Sequence, residues 1–236
     1  MLYKTILFDV DGTLLDFSQA QEQALRRSCA AFGVAADAPL VRRYDRINQT
    51  LWTQLERREI TRAQLLDRRF RLFLEQAGVT GVDPDAFNRH YAQGLAQGFY
   101  LIEGTLPVLK ALQPHFQLAI ITNGIADVQK SRLAGAGLTP FFSQVIISEE
   151  IGREKPDPLF FEQALSRCGV SGRDRKGALV VGDSLSADIA GGNRCGLDTC
   201  WYNPKGAPTP EAPAPTYVID SLYALPALLK IPVPLS

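Results

Sequence analysis

The sequence predicts a doubly wound parallel α/β core, assembled from residues 1–16 and 101–236, with a helical-bundle domain of residues 17–100 inserted into it. Three patterns point to that class. An apolar, β-forming run, Ile6-Leu7-Phe8, opens the chain, and more than eighty residues of helical apolar spacing follow without a strand. From Gly104 onward helix and strand patterns alternate, which implies right-handed crossovers between parallel strands. Several strand patterns end in polar, turn-prone residues (Asp9, Thr122, Gly182-Asp183), as at the ligand-binding edge of an open parallel sheet.

The elements follow in order. Ala20, Ala24, Leu25 and Phe32 mark the first inserted helix, and Gly33 is a natural stop. Leu51, Trp52 and Leu55 lie on one face of the second. Leu65, Leu66, Phe70, Phe73 and Leu74 define the third, ending near Gly78, and Asp83-Pro84 starts a fourth through Phe87, Tyr91 and Leu95. Beyond the insertion the patterns predict helices over 105–112, 125–134, 158–168, 185–195 and 222–229, and strands over 117–122, 144–148, 178–182, 199–202 and 217–219. Residues 204–215 hold five prolines and no periodicity, so they read as a surface loop. The first strand must join the later ones across the insertion, which makes the bundle a domain placed inside another.

Composition narrows the function classes. Lysine plus arginine equals aspartate plus glutamate, 25 each, so no global field draws the chain to a nucleic acid polymer or an anionic membrane. An anionic partner must be attracted locally. The cysteines at 29, 168, 195 and 200 form no Cys-x-x-Cys pair, and buried thiols are expected rather than disulfides or a zinc site. His90 and His115 are too few and isolated for a metal cluster. Strand signal begins at once after Lys4, leaving no room for a signal peptide, and no apolar run reaches membrane-spanning length. The expectation is a soluble cytoplasmic protein, a monomer or weak homodimer.

The chemistry-bearing residues sit where strands end or helices begin. Asp9 and Asp11 follow the first strand, with Gly12 and Thr13 able to turn the chain. Side chains two apart on a strand share a face, so both carboxylates could address one substrate. Like charges so close repel, an arrangement better explained by chemistry or a cation than by folding. Thr122-Asn123-Gly124 ends one strand, Lys155-Pro156-Asp157-Pro158 precedes a helix, and Gly182-Asp183 ends another strand with Asp188 five residues beyond. Taken singly, each could be a turn, a surface lysine or a helix cap; their order and matched placement make a site.

In that order the four motifs resemble those of the haloacid dehalogenase superfamily of aspartate-nucleophile phosphohydrolases, from Thr5 to about Leu229. The resemblance implies a Rossmann-like core with a helical cap. It implies Asp9 as nucleophile, forming an aspartyl-phosphate, and Asp11 as the acid that protonates the leaving oxygen and later the base that activates water. It implies Mg2+ held by the carboxylates of Asp9 and Asp183 and the backbone carbonyl of Asp11, an all-oxygen set that suits this ion. Thr122, Asn123, Gly124 and Lys155 are then the phosphate-binding groups, and Asp188 holds Lys155 or a metal-bound water. Asp157 and Pro158 fit a helix N-cap and first turn whose positive end lies nearby.

Within the superfamily, dehalogenation needs neither metal nor a second aspartate, so Asp11 and Asp183 speak against it. A phosphonatase needs a Schiff-base lysine, and residues 17–100 contain no lysine. A catalytically silent binding module would have lost Asp9, Asp11 or Asp183. A phosphomutase, or a general small-metabolite phosphatase of the phosphoglycolate or sugar-phosphate type, stays open. Arg46-Ile-Asn48-x-x-Leu51-Trp52, Glu56, Ile60-Thr61, Arg69-Phe70, the run 145–150 and Cys200-Trp201 resemble the non-canonical, house-cleaning pyrimidine 5′-nucleotidases. That likeness implies a pyrimidine nucleoside monophosphate as the small phosphorylated substrate. Asn48 could hydrogen-bond a base edge and Trp52 could stack on one, although helix packing also accounts for Trp52 and Phe70.

Overall fold

Strand β1 (Thr5–Phe8) lies in the first segment of the core, and after that segment the chain builds four helices among the described residues, α1 (Phe17–Ala31), α2 (Ala38–Glu56), α3 (Arg62–Gln76) and α4 (Pro84–Ala96). A computed structural model describes residues 2–231. Met1 and residues 232–236, which the sequence assigns to the core, lie outside the described residues. The chain divides into two compact units, Met1–Asp16 with Tyr100–Ser236, and Phe17–Phe99. It leaves the core after Asp16 and returns at Tyr100, whose carbonyl accepts the Asp16 N–H at 2.8 Å.

The helical unit closes on aromatic residues. Tyr44 stacks on Phe70 at 5.3 Å with an interplanar angle of 10°, and Phe73, Phe87 and Tyr91 meet the same pair. Helices α1 and α4 approach closely because α4 carries glycine where a side chain would collide. A Cβ on Gly94 would lie 3.3 Å from the Ala24 Cα, and one on Gly98, two residues past the end of α4, 2.6 Å from the Ala20 Cβ. Helix α2 begins at Ala38, well before its recognised apolar stretch, because Asp37 caps it by accepting the Leu40 N–H at 2.8 Å. Thr61 and Gln64 form a reciprocal capping box on α3.

The core continues α5 (Thr105–Leu112), β2 (Gln117–Thr122), α6 (Ala126–Gly135), β3 (Gln144–Ile147), a one-turn α7 (Ser148–Ile151), α8 (Pro158–Arg167) and β4 (Ala178–Gly182), then α9 (Ala190–Arg194), β5 (Asp198–Tyr202), β6 (Tyr217–Ile219) and α10 (Ala224–Leu228). The six strands among the described residues are all parallel, in the order β3-β2-β1-β4-β5-β6. Strand side chains alternate between two buried clusters. Ile6, Phe8, Ile120 and Val181 pack with Val108 and Leu112 of α5 and Leu225 of α10. Leu7, Ala119, Ile121 and Val180 pack with Phe160, Phe161 and Leu165 of α8. Both faces are covered, so these strands read as continuous apolar runs. Each such aliphatic side chain contributes about 1.5–3 kcal/mol by leaving water.

The predicted class therefore holds, with local departures. The helix expected over 185–195 breaks into a π-helical turn (Leu185–Ile189) followed by α9. Gly191 and Gly192 explain the tight packing after the break: a Cβ on Gly191 would lie 2.2 Å from the Phe161 ring, and one on Gly192 2.6 Å from Thr199 Cγ2. Ser148, expected to finish β3, instead opens α7. The last helix is shorter at both ends than its apolar pattern suggested, as fraying termini commonly are. No helix among the described residues is long and apolar enough to cross a membrane.

Candidate active site

Strand β1 is the topological switch point: β2 and β3 lie on one side of it and β4, β5 and β6 on the other. In such sheets ligands bind in the crevice beyond the carboxyl ends of the strands. With neighbouring strands about 4.8 Å apart, the ends of β2, β1 and β4 set Thr122, Asp9 and Asp183 side by side. Asp9 still ladders to β4 through its N–H and the Val181 carbonyl at 2.9 Å, and the residue is 6% exposed.

Lys155 organises this edge. Its Nζ donates to Asp9 Oδ1 at 2.6 Å, Asp188 Oδ1 at 2.7 Å and the Ile121 carbonyl at 2.9 Å, which uses all three of its hydrogens. The loop carrying it is fastened to the end of β2 by Asn123. The Asn123 amide donates to the Lys155 carbonyl at 2.9 Å, and its Oδ1 accepts the Lys155 N–H at 2.8 Å. The side chain of Asn123 thus anchors a loop.

Asp183 is seated by its neighbours. Gly12 has a φ of +88°, and a Cβ there would fall 2.4 Å from Asp183 Oδ2, so only glycine permits this approach. Thr13 Oγ1 donates to Asp183 Oδ1 at 3.4 Å, and the Trp201 indole N–H donates to the Asp183 carbonyl at 2.9 Å. Asp188 is fully buried; its Oδ2 accepts the Ser184 N–H at 3.1 Å, and a Cβ on Gly182 would lie 2.2 Å from that oxygen. The π-helical turn carries Asp188 into this position, a use of such turns common at functional sites.

Oxygens of Asp9, Asp183 and Asp188 lie within 4.8 Å of one another. One lysine faces three carboxylates. Burial pushes Asp9 well above the usual carboxylate range; Lys155 opposes this, while Asp188, Asp183 and Asp11 add to it. Burial and then Asp188 push Asp183 up to about 7. Lys155 is desolvated too, but Asp188 and Asp9 outweigh that cost and hold its ammonium protonated. The excess of negative charge, offered entirely by oxygen donors, is a fit for a hard divalent cation.

Asp11 departs from the two-residue strand argument. The strand ends at Phe8, and the Asp11 carboxylate turns toward α6, where it meets Gln129 and Arg132. Neither residue stands out in the sequence. Their signal is two polar positions, three apart, flanked by the apolar Val128 and Leu133 on a helix of the core.

The start of α8 is built as the sequence predicted, with Asp157 as its N-cap and Pro158 as its first residue, whereas the start of α6 is occupied by another side chain. The Ala126 N–H at the start of α6 is taken by Glu149 Oε2 at 2.7 Å, and Asp157 caps α8 through the Leu159 N–H at 3.0 Å. In the helical unit, Asn48 is buried and donates to Gln21 Oε1 at 2.7 Å, while the Arg62 guanidinium lies 5.7 Å from the centroid of the half-buried Trp52 ring. Phe70 is a core residue of that unit.

An open parallel sheet, an aspartate at its switch point and a lysine bridging two carboxylates define the class. The haloacid dehalogenase-like hydrolase family matches residues 3–196, and the chain belongs to that family of enzymes. Among its relatives, the pyrimidine 5′-nucleotidase PynA of Streptococcus pneumoniae is 38% identical over 226 residues, covering 95% of this chain and 94% of that protein. The pyrimidine 5′-nucleotidase YjjG of Escherichia coli K12 is 34% identical over 229 residues, 97% of this chain and 99% of that protein. YfnB of Bacillus subtilis, a HAD-hydrolase by name, is 37% identical over 97% of this chain and 96% of its own. Its magnesium-bound crystal structure superposes with a TM-score of 0.91, covering 98% of this chain and 100% of that one.

Proposed function

We propose that this enzyme is a Mg2+-dependent phosphomonoesterase that works through an aspartyl-phosphate on Asp9, with pyrimidine nucleoside monophosphates as substrates. The observation that carries the reading is the Asp9 carboxylate at the switch point, with Oδ1 held by Lys155 and Oδ2 without a hydrogen bond among the described residues. Asp9 attacks phosphorus, the bond to the leaving oxygen breaks, and Asp11 gives that oxygen its proton. Asp11 then takes a proton from water, which attacks the phosphoryl group, releases phosphate and regenerates Asp9. Thr122 and the Lys155 ammonium draw the anionic phosphoryl group to the strand ends. Asp9, Asp183 and the backbone carbonyl of Asp11 would hold the metal, with Asp188 steadying Lys155 beside them. Bound there, magnesium supplies the charge that screens one anion's attack on another.

The names of PynA and YjjG favour a pyrimidine nucleotide as substrate. For base selection we propose Asn48, whose Oδ1 is buried without a hydrogen-bond partner among the described residues, and Trp52. Phosphate release should be measured with and without Mg2+ on pyrimidine and purine nucleoside monophosphates, phosphoglycolate and hexose phosphates. Pyrimidine deoxynucleotides should lead in kcat/KM, and Asn48→Ala and Trp52→Ala should erode that lead more than they slow nitrophenyl phosphate hydrolysis. Higher efficiency on phosphoglycolate or a hexose phosphate would defeat the nucleotidase reading and leave the phosphatase standing.

A further inference from the structure

Two buried polar residues on α6 tie into the site without belonging to any of the four motifs. Gln129 and Arg132 lie three residues apart on one face of the helix and are 1% and 0% exposed. Arg132 NH1 donates to Asp11 Oδ1 and, at 3.0 Å, to Gln129 Oε1. The Gln129 amide nitrogen donates to Asp11 Oδ2 at 3.0 Å and to Thr122 Oγ1 at 2.7 Å. Arginine can only donate, so it fixes which end of the Gln129 amide faces it. The amide nitrogen must then point at Asp11 and Thr122, and both of its hydrogens are used.

The consequence reaches both partners. Thr122 Oγ1 accepts from Gln129 and, at 3.3 Å, from the Gly124 N–H, and no described residue accepts its own hydrogen. Its hydroxyl is therefore set as a donor. Asp11 has one oxygen on Arg132 and the other on Gln129, so its carboxylate plane is fixed. The room for this arrangement comes from Gly124, since a Cβ there would lie 2.3 Å from Gln129 Cγ. The third residue of Thr-Asn-Gly is thus glycine because the Gln129 side chain passes over it.

We propose that Gln129, locked by Arg132, is a positioning residue that aligns the proton carrier Asp11 and the phosphate donor Thr122 as one unit. This rests on the phosphatase reading above. Burial is itself an argument for it. A fully buried guanidinium is costly unless paired, and Asp11, a residue of the site, is a carboxylate that pairs with this one.

The test compares an alkyl phosphomonoester that the wild type hydrolyses with nitrophenyl phosphate, whose leaving group needs little protonation. Gln129→Met and Arg132→Met should lower kcat on the alkyl ester by about 100-fold, the low end of a general-acid contribution, and on nitrophenyl phosphate by about tenfold or less. Gln129→Met should also weaken inhibition by orthophosphate, because Thr122 loses its orientation, whereas Arg132→Lys should recover part of the alkyl rate. Equal fractional losses on both esters with unchanged orthophosphate inhibition, in folded variants, would overturn the proposal. If Arg132→Met does not fold, Gln129→Met decides alone. Absence of wild-type turnover, or turnover that survives Asp9→Asn, would overturn the phosphatase reading and this inference with it; equal losses in an active enzyme would overturn the inference only.

Discussion

Asp188→Ala is the substitution whose cost the structure specifies most fully. It removes a carboxylate with no exposure, leaving Lys155 buried with Asp9 and the Ile121 carbonyl, and it orphans the Ser184 N–H. Breaking a buried ion pair by deleting one partner costs about 3–5 kcal/mol. The low end applies to the ion pair, because Lys155 keeps a second carboxylate. Leaving the Ser184 N–H unsatisfied adds about 1 kcal/mol, for a total of about 4 kcal/mol. For a chain of this length that lowers Tm by about 8–16 °C. Asp188→Asn keeps the shape and an acceptor for Ser184 but not the charge, so its loss should be about half as large. Gly182→Ala supplies an independent route to the same defect, since its Cβ would occupy the place of the Asp188 carboxylate. The chain has two tryptophans, Trp52 in the helical unit and Trp201 in the core. Urea unfolding of these variants in a Trp52→Phe background, without metal, therefore reads the core through Trp201 fluorescence. An unfolding free energy for Asp188→Ala within about 1 kcal/mol of its background's, at unchanged slope, would refute the account of Lys155 as a buried cation in need of both carboxylates.

The remaining predictions concern the chemistry. Asp11→Asn keeps the nucleophile but removes the proton carrier, so turnover of an alkyl ester should fall at least tenfold more than that of nitrophenyl phosphate; equal losses would remove the leaving-group acid from this position. Asp9→Asn should abolish turnover while the far-ultraviolet circular dichroism stays unchanged, and near wild-type hydrolysis would displace the nucleophile. In the metal-free protein the Asp183 carboxyl is pushed up from 3.8 to about 7. A raised carboxyl contributes to stability below its ordinary range, and that contribution is lost as pH rises toward the folded value. Mg2+ requires the ionised form, so the rise in Tm on adding it should be larger at pH 8 than at pH 5.5. An equal rise at both values would separate Asp183 from the metal.

Much of the fold was legible locally. β2 and α5 begin and end where their apolar patterns do, because a strand buried on both faces is a plain apolar run and an edge helix shows one clear stripe. Asp9, Thr122 and Asp183 were legible for the same reason, as polar residues closing such runs. The stretch 185–195 was less so. Its periodicity is helical, but the room left by Gly191 and Gly192 is filled by Phe161 and Thr199, which arrive from other elements.

The sequence alone determined the alternation of strands and helices, the inserted bundle and the polar residues at the strand ends, since each depends on the spacing of neighbours along the chain. Only the tertiary structure decided what those residues touch. Asn123 ties down the Lys155 loop, Asp188 lies beside Lys155 because a widened turn carries it there, and Asp11 faces α6. Gln129 and Arg132 look like the wet face of any short helix. They are dry because β1 pairs with β2, which brings the loop after β1 against the helix that follows β2. Contacts between residues more than a hundred positions apart are set by that pairing, and no local pattern encodes them.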